Sequence, residues 1–173
     1  FRHVLRDPEL HGALGRQVVF SLAVLAVEIP LGIALALAMP LSGVAASLTL
    51  VVIALPLLIP WNVVGTIWQI FARADIGLGG SLINGMGLDY NYTSDPWDAW
   101  FTIVVMDVWH WTPLVTLSLI AALVSLPSDP FEQAQIDGAN KRQMFWHITL
   151  PMIRPALIAT VFIRLMDAMR TVD

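Results

Sequence analysis

The 173-residue sequence has no cysteine. That excludes disulfides and thiolate metal sites. Charge is scarce as well: 13% of residues are charged, against about 25% in a typical soluble domain. Between Ile29 and Ala72, forty-four residues, there is none at all. No basic stripe suits nucleic acid, and the net charge is −4. Neither G-x-x-x-x-G-K nor G-x-G-x-x-G occurs, so the chain has no phosphate loop of its own. H-E-x-x-H and G-x-S-x-G are missing too. The four histidines are scattered and form no metal set.

What fills the sequence is apolar. Hydrophobic residues make up 57% and the mean hydropathy is +0.74. A bilayer core takes about 20 helical residues per crossing, so the uncharged run alone holds two. The expectation is an all-α, polytopic membrane protein with spans at about 18–39, 44–71, 99–126 and from 155 onward. Residues 1–16 read as a loop or interfacial helix. The chain starts at Phe1 without a signal-peptide pattern and stops at Asp173 inside a helical pattern, which reads as part of a longer protein.

Several residues inside these spans are costly in lipid. Glu28 lies in the first, and facing other helices or snorkelling is the favoured reading over a substrate role. Pro56 and Pro60 predict a kink in the second. Trp61 and Trp68 suit interface anchoring or a sugar platform, the former being the commoner use. Asp107, His110 and Pro113 interrupt the third. Arg164, Asp167 and Arg170, three apart, share one helical face in the fourth. Between the second and third spans, residues 75–98 hold four aspartates and no Lys or Arg. Their glycines read as turns between short interfacial helices.

The longest polar interruption of the C-terminal half is LPSDPFEQAQIDGANKRQMFWHITLPMIRP, residues 126–155. Asp129 as cap, Pro130 at the first helical position and Glu132 three residues after the cap make a capping-box pattern. Gly138 suits a left-handed stop. Asn140 with Gln143 repeats the box pattern. The spacing predicts helices over 130–137 and 141–150, the second ending near Pro151. Lys141, Arg142 and Arg154 place this stretch in the cytoplasm and the acidic loop outside, although the turn after Met39 carries no positive charge.

Glu132, Ala134, Asp137, Gly138, Ala139, Phe145, Ile148, Thr149, Leu150, Pro151 and Pro155 resemble the EAA loop of membrane subunits of binding-protein-dependent ABC importers. DVWHWTPLVTLSLIAALVSLP, RLMDAMRTVD and LPLLIPWNVVGTIW are similar to the first permease of carbohydrate importers, the MalF/UgpA-like group. Gln133 departs from the family's usual alanine. The resemblance implies the ABC type I importer transmembrane fold, with about four of six core helices present here. It implies a sugar permease of a bacterial or archaeal inner membrane that is not an enzyme and holds no cofactor. ATP and Mg would bind an ATPase dimer that docks on the loop 127–154, through Glu132, Ala134, Asp137, Gly138 and Ala139. The other implied partners are a second permease, an extracytoplasmic sugar-binding protein and membrane lipid, with no nucleic acid. His110, Trp111, Leu114, Met166, Asp167 and Arg170 are the implied sugar path. The alternatives are a non-sugar importer permease and a multi-pass membrane enzyme using Asp107 and His110 as an acid/base pair.

Overall fold

The computed structural model describes residues 8–40 and 42–169. They form helices joined by short turns, with no strand among them. In order these are α1 (Pro8–Ala38), α2 (Gly43–Ala54), α3 (Trp61–Phe71), α4 (Leu78–Gly85), α5 (Pro96–Val124), α6 (Asp129–Ile136), α7 (Lys141–Met144) and α8 (Leu150–Ala168). Three stretches are long and apolar enough to cross a membrane: Glu9–Ala38, Pro96–Val124 and Lys141–Ala168. A fourth is the bent pair Gly43–Leu58 and Trp61–Phe71.

α1 begins ten residues before the expected Val18. Pro8 opens it and Glu9 lies in its first turn, both favourable at a helix start. The described part of the N-terminal stretch is therefore the first turns of a span, not a loop or a separate interfacial helix. α5 starts at Pro96 because the Asp95 carboxylate accepts from the amides of Trp97 (2.7 Å) and Asp98 (3.2 Å), an N-cap.

The expected kink in the second span is a full break. After a 3-10 turn at Leu55–Leu58, Ile59 is extended (φ −86°, ψ 123°), as a residue before proline prefers. The chain bends by 91° there. Gly79, Gly80 and Gly85, expected as turns, belong to α4. A side chain at Gly80 would collide with the Arg73 carbonyl, so its absence lets α4 seat on the end of α3.

The last two elements differ most from expectation. α7 does not stop near Pro151. It passes through a π turn at Phe145–Thr149 into α8, with the Leu150 N–H reaching the Phe145 carbonyl. Pro151 cannot donate to the His147 carbonyl, and the wider turn lies where that bond would fall. α6 also lacks its expected cap: Ser128 already has helical dihedrals (φ −73°, ψ −32°) and Asp129 is inside the helix. Neither is extended, so neither side chain folds back onto the first amides.

α1 and α5 run side by side, and α8 packs across both. Ala36, Met39, Val115, Leu119, Ile120 and Ile153 form an apolar cluster at the α6 end. Phe20, Val24 and Val108 form another at the opposite end, with Trp100 against them. Charged groups occupy the level between. The outer faces carry exposed Leu48, Val51, Val52, Leu58, Ile67 and Phe162, as a lipid-facing surface does.

Candidate functional site

Two arrangements stand out, one at the α6 end and one midway along the spans. At the first, Gly138 has φ +78°. Its amide donates to the Gln135 carbonyl at 3.1 Å, and the Ala139 amide to the Ala134 carbonyl at 2.9 Å. This is a Schellman turn, which satisfies the end of α6. Two residues later Asn140 and Gln143 exchange side-chain-to-amide bonds of 2.8 and 2.9 Å, the expected capping box. Ala134, Asp137, Gly138 and Ala139 line an open groove of about 370 Å³ with Gln143, Met144, His147 and Ile148. Glu132 is exposed and outside that lining. Ile136 (86%) and Trp146 (55%), next in sequence to lining residues, are exposed.

The second arrangement centres on Arg164 of α8. Its Nε and Nη2 donate to both oxygens of Glu28 on α1 (2.8 and 2.9 Å). Nη2 also reaches Asp107 on α5 at 2.6 Å, and Nη1 reaches Asp167 at 2.8 Å. Arg164, Glu28 and Asp107 are fully buried, whereas the Asp167 side chain is 36% exposed. Burying ions is costly unless they are paired and hydrogen-bonded, and Arg164 is satisfied on all sides. Glu28 thus faces other helices, as its depth predicts.

Rings continue from this cluster. The Arg164 guanidinium carbon lies 4.8 Å from the Trp111 ring centroid, within cation–π range. Trp111 meets His110 edge-on at 5.0 Å, and His110 meets Trp61 at 5.2 Å. Of the expected path residues, His110, Trp111 and Asp167 come together here. Leu114 is half-buried one turn beyond His110, and Met166 is 63% exposed. Arg170 lies outside the described residues. Glu28, Asp107 and Trp61 join the site without having been among the expected path residues. Glu28 and Asp107 carry a readable signal, since a carboxylate inside a span needs a cationic partner. Trp61 has two readings, interface anchor or sugar platform, and its contact with His110 is the one the second calls for.

Asp107 and His110 do not act on each other. Asp107 bonds Arg164 through one oxygen, while its other oxygen and the His110 Nδ1 have no hydrogen-bond partner. A mutual acid/base bond, which the enzyme alternative needs, is not formed.

At the opposite end from α6, Tyr90 bonds Thr102 at 2.6 Å and the Tyr92 hydroxyl donates to the Gln69 carbonyl at 2.7 Å. Burial pushes the Tyr90 phenol up, against the Thr102 bond that lowers it. The Arg73 bonds hold the Asp75 carboxyl below its usual range. These contacts tie the acidic loop to α3 and α5.

Comparison with known proteins places these features in context. The model of the family described as "Binding-protein-dependent transport system inner membrane component" matches residues 28–172. The trehalose/maltose transport system permease protein MalF of Thermococcus litoralis is 32% identical over 157 residues, covering 90% of this chain and 53% of that protein. The trehalose transport system permease protein SugA of Mycobacterium tuberculosis is 28% identical over 173 residues, covering 100% and 55%. The chain spans about half the length of the curated relatives it matches. Among solved structures, a bacterial ABC transporter involved in the import of the acidic polysaccharide alginate superposes with TM-score 0.84 at 23% identity, over 99% of this chain and 61% of that one. The fold is that of an ABC importer permease.

Proposed function

The chain belongs to the family of binding-protein-dependent transport system inner membrane components, and from that we propose that it is the core of a sugar-importing ABC permease. Relatives named for trehalose, maltose and arabinooligosaccharides support the substrate class. So does a neighbour crystallised with an alginate-pentasaccharide-bound periplasmic protein. The partners in this reading are a second permease, an extracytoplasmic sugar-binding protein and an ATPase dimer that binds ATP and Mg. The protein crosses a bacterial or archaeal inner membrane several times, with the loop 127–154 in the cytoplasm. It hydrolyses nothing itself.

The observation that carries the reading is the groove of the capped glycine turn. It combines small residues, a fixed backbone and open apolar neighbours, which suit a docked protein surface. A docked ATPase closing on ATP moves this turn, and α8 carries the movement toward the mid-span site. There a sugar finds what it needs. The Trp61–His110–Trp111 row offers ring faces for the apolar side of a pyranose. Asp167 offers a carboxylate to its hydroxyls.

The test is uptake by the full-length permease assembled with its partner subunits in proteoliposomes. Radiolabelled trehalose, maltose, arabino-oligosaccharide and alginate oligosaccharide are supplied with the binding protein. ATP-dependent uptake of at least one, lost in Gly138→Trp and reduced in Trp61→Ala, is the expected result. Uptake of none overturns the sugar reading. Normal uptake by Gly138→Trp overturns the coupling role of the loop.

A further inference from the structure

The Arg164 cluster holds more carboxylate than an interhelical clamp requires. One buried carboxylate neutralises one guanidinium. Here two sealed carboxylates, Glu28 and Asp107, stand behind Arg164, and a third, Asp167, stands in front of it. Replacing a buried ion pair by well-packed apolar residues is often neutral or stabilising. Clamping three helices therefore does not by itself account for the ions, whereas setting an orientation does.

We propose that Glu28, acting through Arg164, is a positioning residue that orients Asp167 and Trp111 toward the transport path. The proposal rests on the reading of Asp167 and Trp111 as sugar contacts. Glu28 receives both Nε and Nη2, a planar two-bond fork. A fork fixes the plane of the guanidinium as well as its position. Once that plane is fixed, the direction of Nη1 is fixed, and Nη1 is the donor to Asp167. The same plane sets how the cation lies against the Trp111 ring. Burial separates the roles. Glu28 is fully buried and cannot touch a ligand, while Asp167 reaches open space. Asp107 steadies the far edge of the fork through Nη2. Glu28 thus influences a site it never contacts.

The test is a double-mutant cycle between Glu28 and Asp167, which have no bond to each other but share Arg164. Glu28→Gln cannot accept both donors of the fork. It is combined with Asp167→Asn in the full-length, assembled transporter. The probe is whichever of radiolabelled trehalose, maltose, arabino-oligosaccharide or alginate oligosaccharide the wild type imports. Retention of the ATPase subunit on purification is checked for each variant. Glu28→Gln is expected to raise the KM of uptake roughly tenfold, within the coupling range of networked residues, with little change in maximal rate. That rise is expected to vanish in the Asp167→Asn background. Arg164→Lys, which keeps the charge and loses the fork, is expected to shift KM like Glu28→Gln. If Glu28→Gln does not assemble, Glu28→Asp, which retains charge but moves the fork, is measured in the same cycle. Unchanged KM in the assembled Glu28 variant, or effects that simply multiply with Asp167→Asn, overturns the proposal. Wild-type uptake by Asp167→Asn overturns the Asp167 reading first and the proposal with it. Import of none of the probes removes the sugar reading on which both stand.

Discussion

Gly32 on α1 faces Val115 on α5 so closely that a methyl group at position 32 would lie 2.5 Å from the Val115 Cγ1. Val115 is fully buried and belongs to the cluster shared by α1, α5 and α8. Gly32→Ala is therefore expected to overpack the contact and cost about 1–3 kcal/mol. Val115→Ala in the same chain removes the nearest clashing atom, Cγ1, but keeps Cβ at 2.8 Å, and is expected to recover only a small part of that loss. Thermal unfolding of the full-length permease in detergent reads both effects.

Removing Arg164 leaves two sealed carboxylates without a cation. Arg164→Met is expected to destabilise the permease by about 3–5 kcal/mol. The double variant Glu28→Gln with Arg164→Met is expected to be less unstable than Arg164→Met alone, because one uncompensated charge has gone. The same unfolding measurement decides, and equal stabilities count against the ion-pair account.

At Gly138 the cost is in the backbone. Nothing lies within 4 Å of a Cβ built there, yet φ is +78°. Gly138→Ala is expected to cost roughly 1–2 kcal/mol in the turn, and Gly138→Asn less, since Asn tolerates the left-handed region. Uptake by the assembled transporter should fall in the order Gly, Asn, Ala, Trp. Glu132→Ala is expected to be milder than any bulky change at 138, as Glu132 neither caps α6 nor lines the groove.

The capping box at Asn140 has its own readout. Asn140→Ala is expected to cost about 1 kcal/mol of local stability. Hydrogen exchange at the Gln143 amide, the donor to the Asn140 side chain, should quicken roughly fivefold, by about the Boltzmann factor of that energy.

The parts of this fold that are legible in the sequence are those set by local chemistry. The Asn140–Gln143 box and the Gly138 turn depend on a few neighbouring residues, and both form as their pattern implies. The cap at Asp129 has the same pattern and does not form, because Ser128 takes helical dihedrals and moves the start of α6 back by one residue. The continuity of α7 into α8 is hidden for a different reason. Pro151 signals a stop, and a π turn just before it, which has no sequence signature of its own, carries the helix past it, while Pro155 is simply accommodated inside α8. At the mid-span site, shared faces on one helix are readable: Arg164 does pair with Asp167 three residues on. Partners 57 and 136 residues away are not, though an unmatched Glu28 and Asp107 announce that some partner must exist. For Trp61 the residue type leaves anchor and platform both open, and the 91° bend that sets its place is suggested by proline content only as a kink.

The helix that runs on through the π turn from Lys141 to Ala168 has a mechanical corollary. At 1.5 Å per residue it is a rod of roughly 40 Å. Along it Ile153 is buried at 1% exposure and Arg164 and Ala168 are fully buried, so the rod is held at its inner end as well as near its middle. Arg164 lies on this rod, and its bonds to Glu28 and Asp107 join α1 and α5 to it. The elbow between α2 and α3 contains no charged residue and packs on α5 instead, with Trp61 against His110. The three long helices are thus joined at one level by charge, and the elbow meets them through rings.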